Sequence, residues 1–462
     1  MSEKRHLLRT ERGGVEYVVQ HHLCTGCGAC VACSRGGLTM GWDREGFLVP
    51  QSSTDYKEAG EERVCPFNPH PEDSVRTEDE LAKEFQRDLT KSAPRIGRLV
   101  DTYVGYSKDY RLTSSSGGLA TYFSESLLRG GYVDAVVSVH PSDDQEDRFE
   151  FAFTTDPKKV VRASETKYFP VTYAEVLQRI RNYEGRVAIT GVGCFIKSIR
   201  LLQHYDPIFR EKIVFTIGII CGGLKSAFFS DYLADKAGSH TGYLSPRFRV
   251  KDPSSSANDY SYQCIDERTE DHKKIKMRSV GDMWGSGYFK ALACDVCDDV
   301  TTELADVSLG DAWLPEYQND GKGQNVIVTR SKFADDLIRE GIRSGSLAVT
   351  PLPLRDFLRS QRGSFNHRHI ALKYRLAVLH SKGVETPPKR YDTQDISWRF
   401  KLVQNCRMKT RSQSLKVWRE VRNAESFERK MSPLKNRLRI LTELYHIDRL
   451  PGRIMRKLGL KG

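Results

Sequence analysis

Hydrophobic and polar positions along this chain repeat in two rhythms. In "LATYFSESLLRGG" (119–131) the apolar residues Leu119, Tyr122, Phe123, Leu127 and Leu128 recur at helical spacing, and Gly130 and Gly131 close the run. The β-branched stretch "VDAVVSV" (133–139) that follows reads as a strand. The unit then recurs. "RVAIT" (186–190) is a strand leading through a Gly-rich turn into the helix "FIKSIRLLQ" (195–203). "KIVFTIGII" (212–220) leads through "CGG" (221–223) into the helix "LKSAFFSDYLADKAG" (224–238). Residues 245–280 read as an antiparallel excursion with a Ser-rich turn. "VSLGDAW" (307–313) and "NVIVTR" (325–330) add two strands, and "KFADDLIREGIRSG" (332–345) a helix. Alternation of this kind predicts an α/β fold with a mixed, largely parallel sheet.

The flanks have other textures. Residues 24–68 are rich in Cys, Gly and Pro, and 71–95 read as a charged linker or solvated helix. From about 385 the pattern is of Arg/Lys-rich helices, with breaks expected at Pro387–Pro388 and Pro433 and apolar anchors at Trp398, Trp418, Leu438 and Leu458. The expected organisation is a small cysteine-rich segment (1–70), a linker (71–98), the α/β domain (99–350) and a C-terminal extension (351–462) that is basic and helical from about 389.

Charge sharpens this division. Residues 389–462 carry 20 Lys and Arg against 7 Asp and Glu, a net +13, so the +12 of the whole chain resides in the tail. A basic tail with Trp and Leu suits docking on a membrane surface or a protein partner better than specific nucleic-acid readout. No apolar run approaches the ~20 residues of a spanning helix, and the first residues lack the apolar core of a secretory signal. A cytoplasmic location is expected.

Eleven cysteines in 462 residues are too clustered for a disulfide scaffold and point to metal binding. "CTGCGACVAC" places Cys24, Cys27, Cys30 and Cys33 at intervals of three. The common ferredoxin-type run is C-x2-C-x2-C-x3-C-P; here the last gap is one residue short and Ser34 follows. Cys65–Pro66 lies downstream, so the better quartet is Cys24, Cys27, Cys30 and Cys65. A zinc knuckle from the first four is the alternative, although zinc sites favour two separated C-x2-C hooks. Cys194 and Cys221 each fall between a strand and a helix, and Cys294 with Cys297 forms a C-x2-C hook that could close the same site. Read singly, each is a small core residue. "TSSSGGLA" (113–120) is a Ser/Gly loop entering a helix, suited to cradling phosphate or simply to capping the helix. It is neither a Walker A loop nor a GxGxxG fingerprint.

Together "SSGGLATYFSESLLRGGYVDAVV", "SETKYF", "GVGCFIKSIR", "GIICGG", "CDVCDDVTTELADVSLGDAW" and "GQNVIVTR" resemble, in order, the family of coenzyme F420 hydrogenase/dehydrogenase beta subunits, which includes 7-hydroxymethyl chlorophyll a reductase. The resemblance spans residues 20 to about 350. It implies a flavoprotein with FAD and one or two 4Fe–4S clusters, that of the main domain held by Cys194, Cys221, Cys294 and Cys297; with the ferredoxin-like quartet at the N-terminus the expected total is two. It further implies that the flavin lies against Ser115, Ser116, Gly117 and Gly118, near Thr166 and Lys167, with Asp311, Gln324 and Asn325 close by. The implied activity is oxidoreduction of a small-molecule substrate, F420-like or other, with an electron-donor protein such as ferredoxin as a partner. The alternative is a non-catalytic relay subunit of a larger redox complex, some members being linked to exopolysaccharide synthesis.

Overall fold

The computed structural model describes residues 14–52, 56–144 and 147–447; the N-terminal stretch 1–13 and the anchor expected at Leu458 lie outside them. Eight strands form the central sheet: β1 (Asp101–Ser107), β2 (Ala135–Pro141), β3 (Phe149–Thr154), β4 (Val187–Val192), β5 (Ile213–Ile219), β6 (Val307–Asp311), β7 (Asn325–Thr329) and β8 (Leu347–Pro351). Their spatial order is β8-β1-β7-β6-β5-β4-β2-β3. The four adjacent strands β6, β5, β4 and β2 are parallel. Strands β7, β8 and β3 run against them, and β1 runs with them. The sheet is therefore mixed, with five of eight strands in one direction.

The apolar runs of β2, β4 and β5 are continuous because both faces of these strands are covered. Ala135, Val137, Val187 and Ile189 pack on one face with Leu177, Phe195 and Ile199. Val136, Ala188, Phe215 and Ile217 pack on the other with Leu119, Phe123 and Ile338. Helices α1 (Leu119–Arg129), α2 (Gly193–Tyr205) and α3 (Phe228–Lys236) follow β1, β4 and β5. Their N-termini all lie past the carboxyl ends of parallel strands, where open α/β sheets bind ligands. Residues 243–276 form a separate three-stranded antiparallel sheet.

Two regions differ from the sequence expectation. The segment read as a linker contains the helix Glu78–Phe85, whose N-cap Thr77 and residue Glu80 make a capping box. Glu78 is buried against Lys197 (3.3 Å) and Arg390 (3.5 Å), partners too distant in sequence to be inferred. The basic tail, too, is built into the body. Helices α4 (Trp398–Val421) and α5 (Ala424–Ile447) fold back on one another, with Phe400 stacked on Tyr445 at 4.4 Å. Trp418, Phe427 and Met431 join Phe229, Tyr232 and Phe289 in one core cluster. The break expected at Pro433 is absent, and α5 runs through it. Arg429 and Pro433 are exposed, so the carbonyl that loses its N–H partner faces water. No helix among the described residues is long and apolar enough to cross a membrane.

Candidate functional site

The cysteines gather into two sets. At the first, Gly26 and Gly28 adopt left-handed backbone (φ +74° and +77°), wrapping the chain so that Gly26 N donates to Cys24 Sγ at 3.3 Å. A Cβ on Gly28 would stand 2.7 Å from Ala174 N, so only glycine fits. Burial, then Cys27, Cys24 and Cys65, push the Cys30 thiol well up. Burial, then Cys27 and Cys24, do the same to Cys65. The structure thus brings Cys24, Cys27, Cys30 and Cys65 together. Cys33 ends the short helix Ala29–Cys33; burial pushes it up to about 11, and its charged neighbours are Arg181, Asp206 and Glu61 rather than other cysteines.

The second set is built from three loops at the carboxyl edge of the sheet. Cys194 opens α2, Cys221 follows β5, Cys294 lies in the short 3-10 turn Leu292–Asp295, and Cys297 comes just after it. Burial, then Cys297, Cys221, Cys294 and finally Cys27, raise the Cys194 thiol. Backbone amides point at this set: Gly223 N donates to Cys221 Sγ (3.3 Å) and Leu224 N to Cys294 Sγ (3.2 Å). Tyr173 lies between the sets. Its N–H donates to Cys27 O (3.0 Å), its hydroxyl to Thr190 O (2.6 Å), and its pKa is raised by burial and then by Cys27 and Cys194.

An all-sulfur donor set with amides aimed at the sulfurs fits a soft, thiolate-ligated group. Among the described residues no three or more His, Cys, Asp or Glu side chains converge tightly enough for a single bare ion. One zinc ion would gather its thiolates at about 2.3 Å from a common point; a polynuclear core spreads them.

Beside the second set opens a cavity of about 880 Å³. Ser114, Ser115, Ser116 and Gly118 form part of its wall, with Thr166, Lys167, Cys221, Asp311 and Asn325. The Ser/Gly loop is tied down on three sides. Ser115 Oγ accepts from Thr166 N (2.8 Å), Ser116 Oγ donates to Gln324 O (2.9 Å), and Leu119 N donates to Asn325 Oδ1 (3.2 Å). Asn325 Nδ2 in turn donates to Gly310 O (3.0 Å). A Cβ on Gly117 would lie 2.6 Å from Gly105 O and 2.7 Å from Asn325 Oδ1, which is why the loop sits flush on the sheet. Gly117 and Gln324 stand behind the wall rather than in it. Lys167 Nζ donates to the carbonyls of Ala163 (2.9 Å), Ser164 and Glu165 (3.0 Å), and burial lowers its pKa to about 8. Asp311 is held by Arg249 through two contacts, at 2.8 and 3.0 Å.

Several wall residues carry no motif and escaped the sequence reading. Lys225 donates to Met283 O (2.8 Å) and Tyr288 O (2.6 Å) and lies 4.4 Å from the Trp284 ring. Arg368 donates to Cys221 O at 2.6 Å; burial opposes its charge, but Cys297, Cys221 and Cys294 outweigh it and hold the guanidinium above its ordinary range. The run "FNHRHI" around it has no spacing that would single it out. Lys225 lies four residues past Cys221, a weak signal at most.

Comparison with known proteins places this geometry. Two family models match in tandem: "Coenzyme F420 hydrogenase/dehydrogenase, beta subunit N-term" over residues 102–178 and the corresponding C terminus over residues 184–354. Together they span more than half of the chain, and the protein belongs to the family of coenzyme F420 hydrogenase/dehydrogenase beta subunits. Among its relatives, a component of the F(420)H(2) dehydrogenase of Methanosarcina mazei is 23% identical over 70% of this chain and 84% of its own length. The coenzyme F420 hydrogenase subunit beta of Methanosarcina barkeri is 21% identical over 56% of this chain and 84% of its own. A solved chain from the F420-reducing NiFe hydrogenase complex of M. barkeri aligns with 65% of this chain and 99% of that one, at 17% identity and a TM-score of 0.48. Both family models exclude the first cysteine set and helices α4 and α5.

Proposed function

We propose that the protein is an iron–sulfur flavoprotein oxidoreductase in which two 4Fe–4S clusters and FAD connect an electron donor with a small-molecule substrate. The observation that carries this reading is the second all-cysteine set beside a cavity walled by an anchored Ser/Gly loop, with the first set reached from it through Tyr173. Cys24, Cys27, Cys30 and Cys65 hold one cluster; Cys194, Cys221, Cys294 and Cys297 hold the other. The flavin occupies the cavity against Ser115 to Gly118. When bound, these groups supply the exchange between single electrons and electron pairs. The protein's own residues do the rest. Ser115 and Ser116 fix the loop so that amides entering α1 face the cofactor's phosphates. Asn325 ties the loop to Gly310, and the Arg249–Asp311 pair forms a further part of the wall. Tyr168 and Trp284, edge to face at 4.8 Å, screen the cavity from water.

Anaerobic purification tests this. About eight iron atoms per chain and an extractable flavin are expected; a colourless, zinc-containing protein refutes the reading. The relatives' naming as parts of hydrogenases and dehydrogenases favours a second reading, a relay subunit whose substrate site lies on a partner. Photoreduced protein that is reoxidised by small acceptors supports the enzyme; reoxidation only by a partner protein supports the relay.

A further inference from the structure

The cavity has a second end, lined by basic side chains, away from the Ser/Gly loop. Lys225, Lys290 and Arg407 all line it, Arg407 coming from α4, beyond the residues that match the family. The acids there are Asp282 and Asp295, and both are engaged. Asp282 accepts from Trp284 N (3.2 Å) and Gly285 N (2.7 Å), while Asp295 takes Lys290 (2.6 Å) and Arg411 (2.8 Å). Arg407 is left over. Its Nε is buried with no hydrogen-bond partner among the described residues. Arg249 and Arg390 carry a buried, unpartnered Nε as well, so what sets Arg407 apart is a cavity-lining charge with no ion pair among the described residues.

We propose that the end of the cavity framed by Lys225, Lys290 and Arg407 receives a carboxylate or phosphate group of the redox substrate, with Arg407 selecting for it. This rests on the cavity holding the flavin, whose loop-bound part lies at the other end. The planar guanidinium suits either anion, because both match its paired donors. The C-terminal extension thereby supplies a specificity determinant outside the common family body.

Isothermal titration of the anaerobically purified protein with inorganic phosphate and, separately, with glutarate tests the assignment. Saturable binding is expected in the wild type, weakened about tenfold or more in Arg407→Met and less in Arg407→Lys. Preference for phosphate or for glutarate identifies the group. Arg407→Met should retain wild-type flavin and iron content and melt no lower than wild type without anion, since the substitution removes an unpartnered donor rather than a bonded one. No saturable binding by the wild type, or undiminished binding by Arg407→Met, overturns the proposal. So does loss of flavin with Arg407→Met, which would assign the arginine to the cofactor's own phosphates. Absence of flavin from every form refutes the cofactor reading instead, while the Arg407 dependence of anion binding is still read on the same protein.

Discussion

Asn325 offers the sharpest test of how the Ser/Gly loop is held. Its side chain is buried and spans two backbones, accepting from Leu119 N at 3.2 Å and donating to Gly310 O at 3.0 Å. Asn325→Ala leaves both groups buried without a partner, at about 1–3 kcal/mol each, hence about 2–6 kcal/mol in all if no water enters. For a chain of this size each kcal/mol moves the unfolding midpoint by about 2 °C or less, so a fall of several degrees is expected. The Leu119 amide also sets the first turn of α1, so loosening it should weaken flavin binding. Asn325→Asp separates the two contacts: the carboxylate still accepts from Leu119 N but faces Gly310 O with an oxygen, so it should destabilise at least as much as alanine. Scanning calorimetry of the flavin-free protein and titration with FAD measure both effects. An Asn325→Ala protein that melts with the wild type and binds FAD equally would refute the account of the loop.

Four other outcomes are expected. Cys33→Ser should leave iron content unchanged whereas Cys65→Ser should lose about half, because Cys33 faces Arg181 and Asp206 and Cys65 faces Cys27 and Cys24; equal loss would place Cys33 in the set. His140 is buried against Ser138 and Thr154, and burial, then Lys167 and Arg162, lower its pKa to about 4. Between pH 6.5 and 4 the unfolded chain binds a proton that the native state refuses, so stability falls as pH falls through this window; His140→Gln should flatten that limb of a urea-midpoint profile. Arg390 pairs with Glu303 at 2.7 and 3.0 Å and lies 3.6 Å from Asp298, so Arg390→Met should cost about 3–5 kcal/mol by stranding buried carboxylates; a loss below about 1 kcal/mol would contradict this. Arg368→Gln should lower the midpoint potential of one cluster and spare the other in an EPR-monitored redox titration; parallel shifts would show that Arg368 does not act locally.

Much of the fold was legible because it rests on local pattern. The helix–strand unit at 119–139 became α1 with β2, and the strand–turn–helix units at 186–203 and 212–238 became β4 with α2 and β5 with α3. The grouping of Cys65 with the N-terminal run was legible from Cys–Pro spacing, which needs no knowledge of the fold. What stayed hidden depends on long-range pairing. Glu78 reads as solvated until Lys197 and Arg390 are seen to surround it. The tail reads as a free cationic appendage because net charge ignores partners: Lys389 and Arg390 neutralise Asp298 and Glu303, and Arg411 neutralises Asp295. Arg368 and Arg407 meet the cavity only because the segments carrying them fold back over the sheet edge.

That folding back also gives the two cysteine sets different electrostatic settings. Around the first set the groups that act on the thiols are other cysteines, Asp43 and neutral hydrogen-bond donors, with no cation among them. Around the second, Arg368 acts on Cys221, Cys294 and Cys297, Lys290 on Cys294, and Lys389 on Cys297, where Asp299 and Asp298 oppose the cations. A cluster gains one negative charge on reduction, and nearby cations favour that charge at short range in a low-dielectric interior. The second site should therefore hold an electron more tightly than the first. Since Cys27 and Cys194 adjoin through Tyr173, the gradient runs from the N-terminal segment inward to the cavity. Both C-terminal arginines stand at the inner end, Arg368 beside Cys221, Cys294 and Cys297 and Arg407 in the cavity wall.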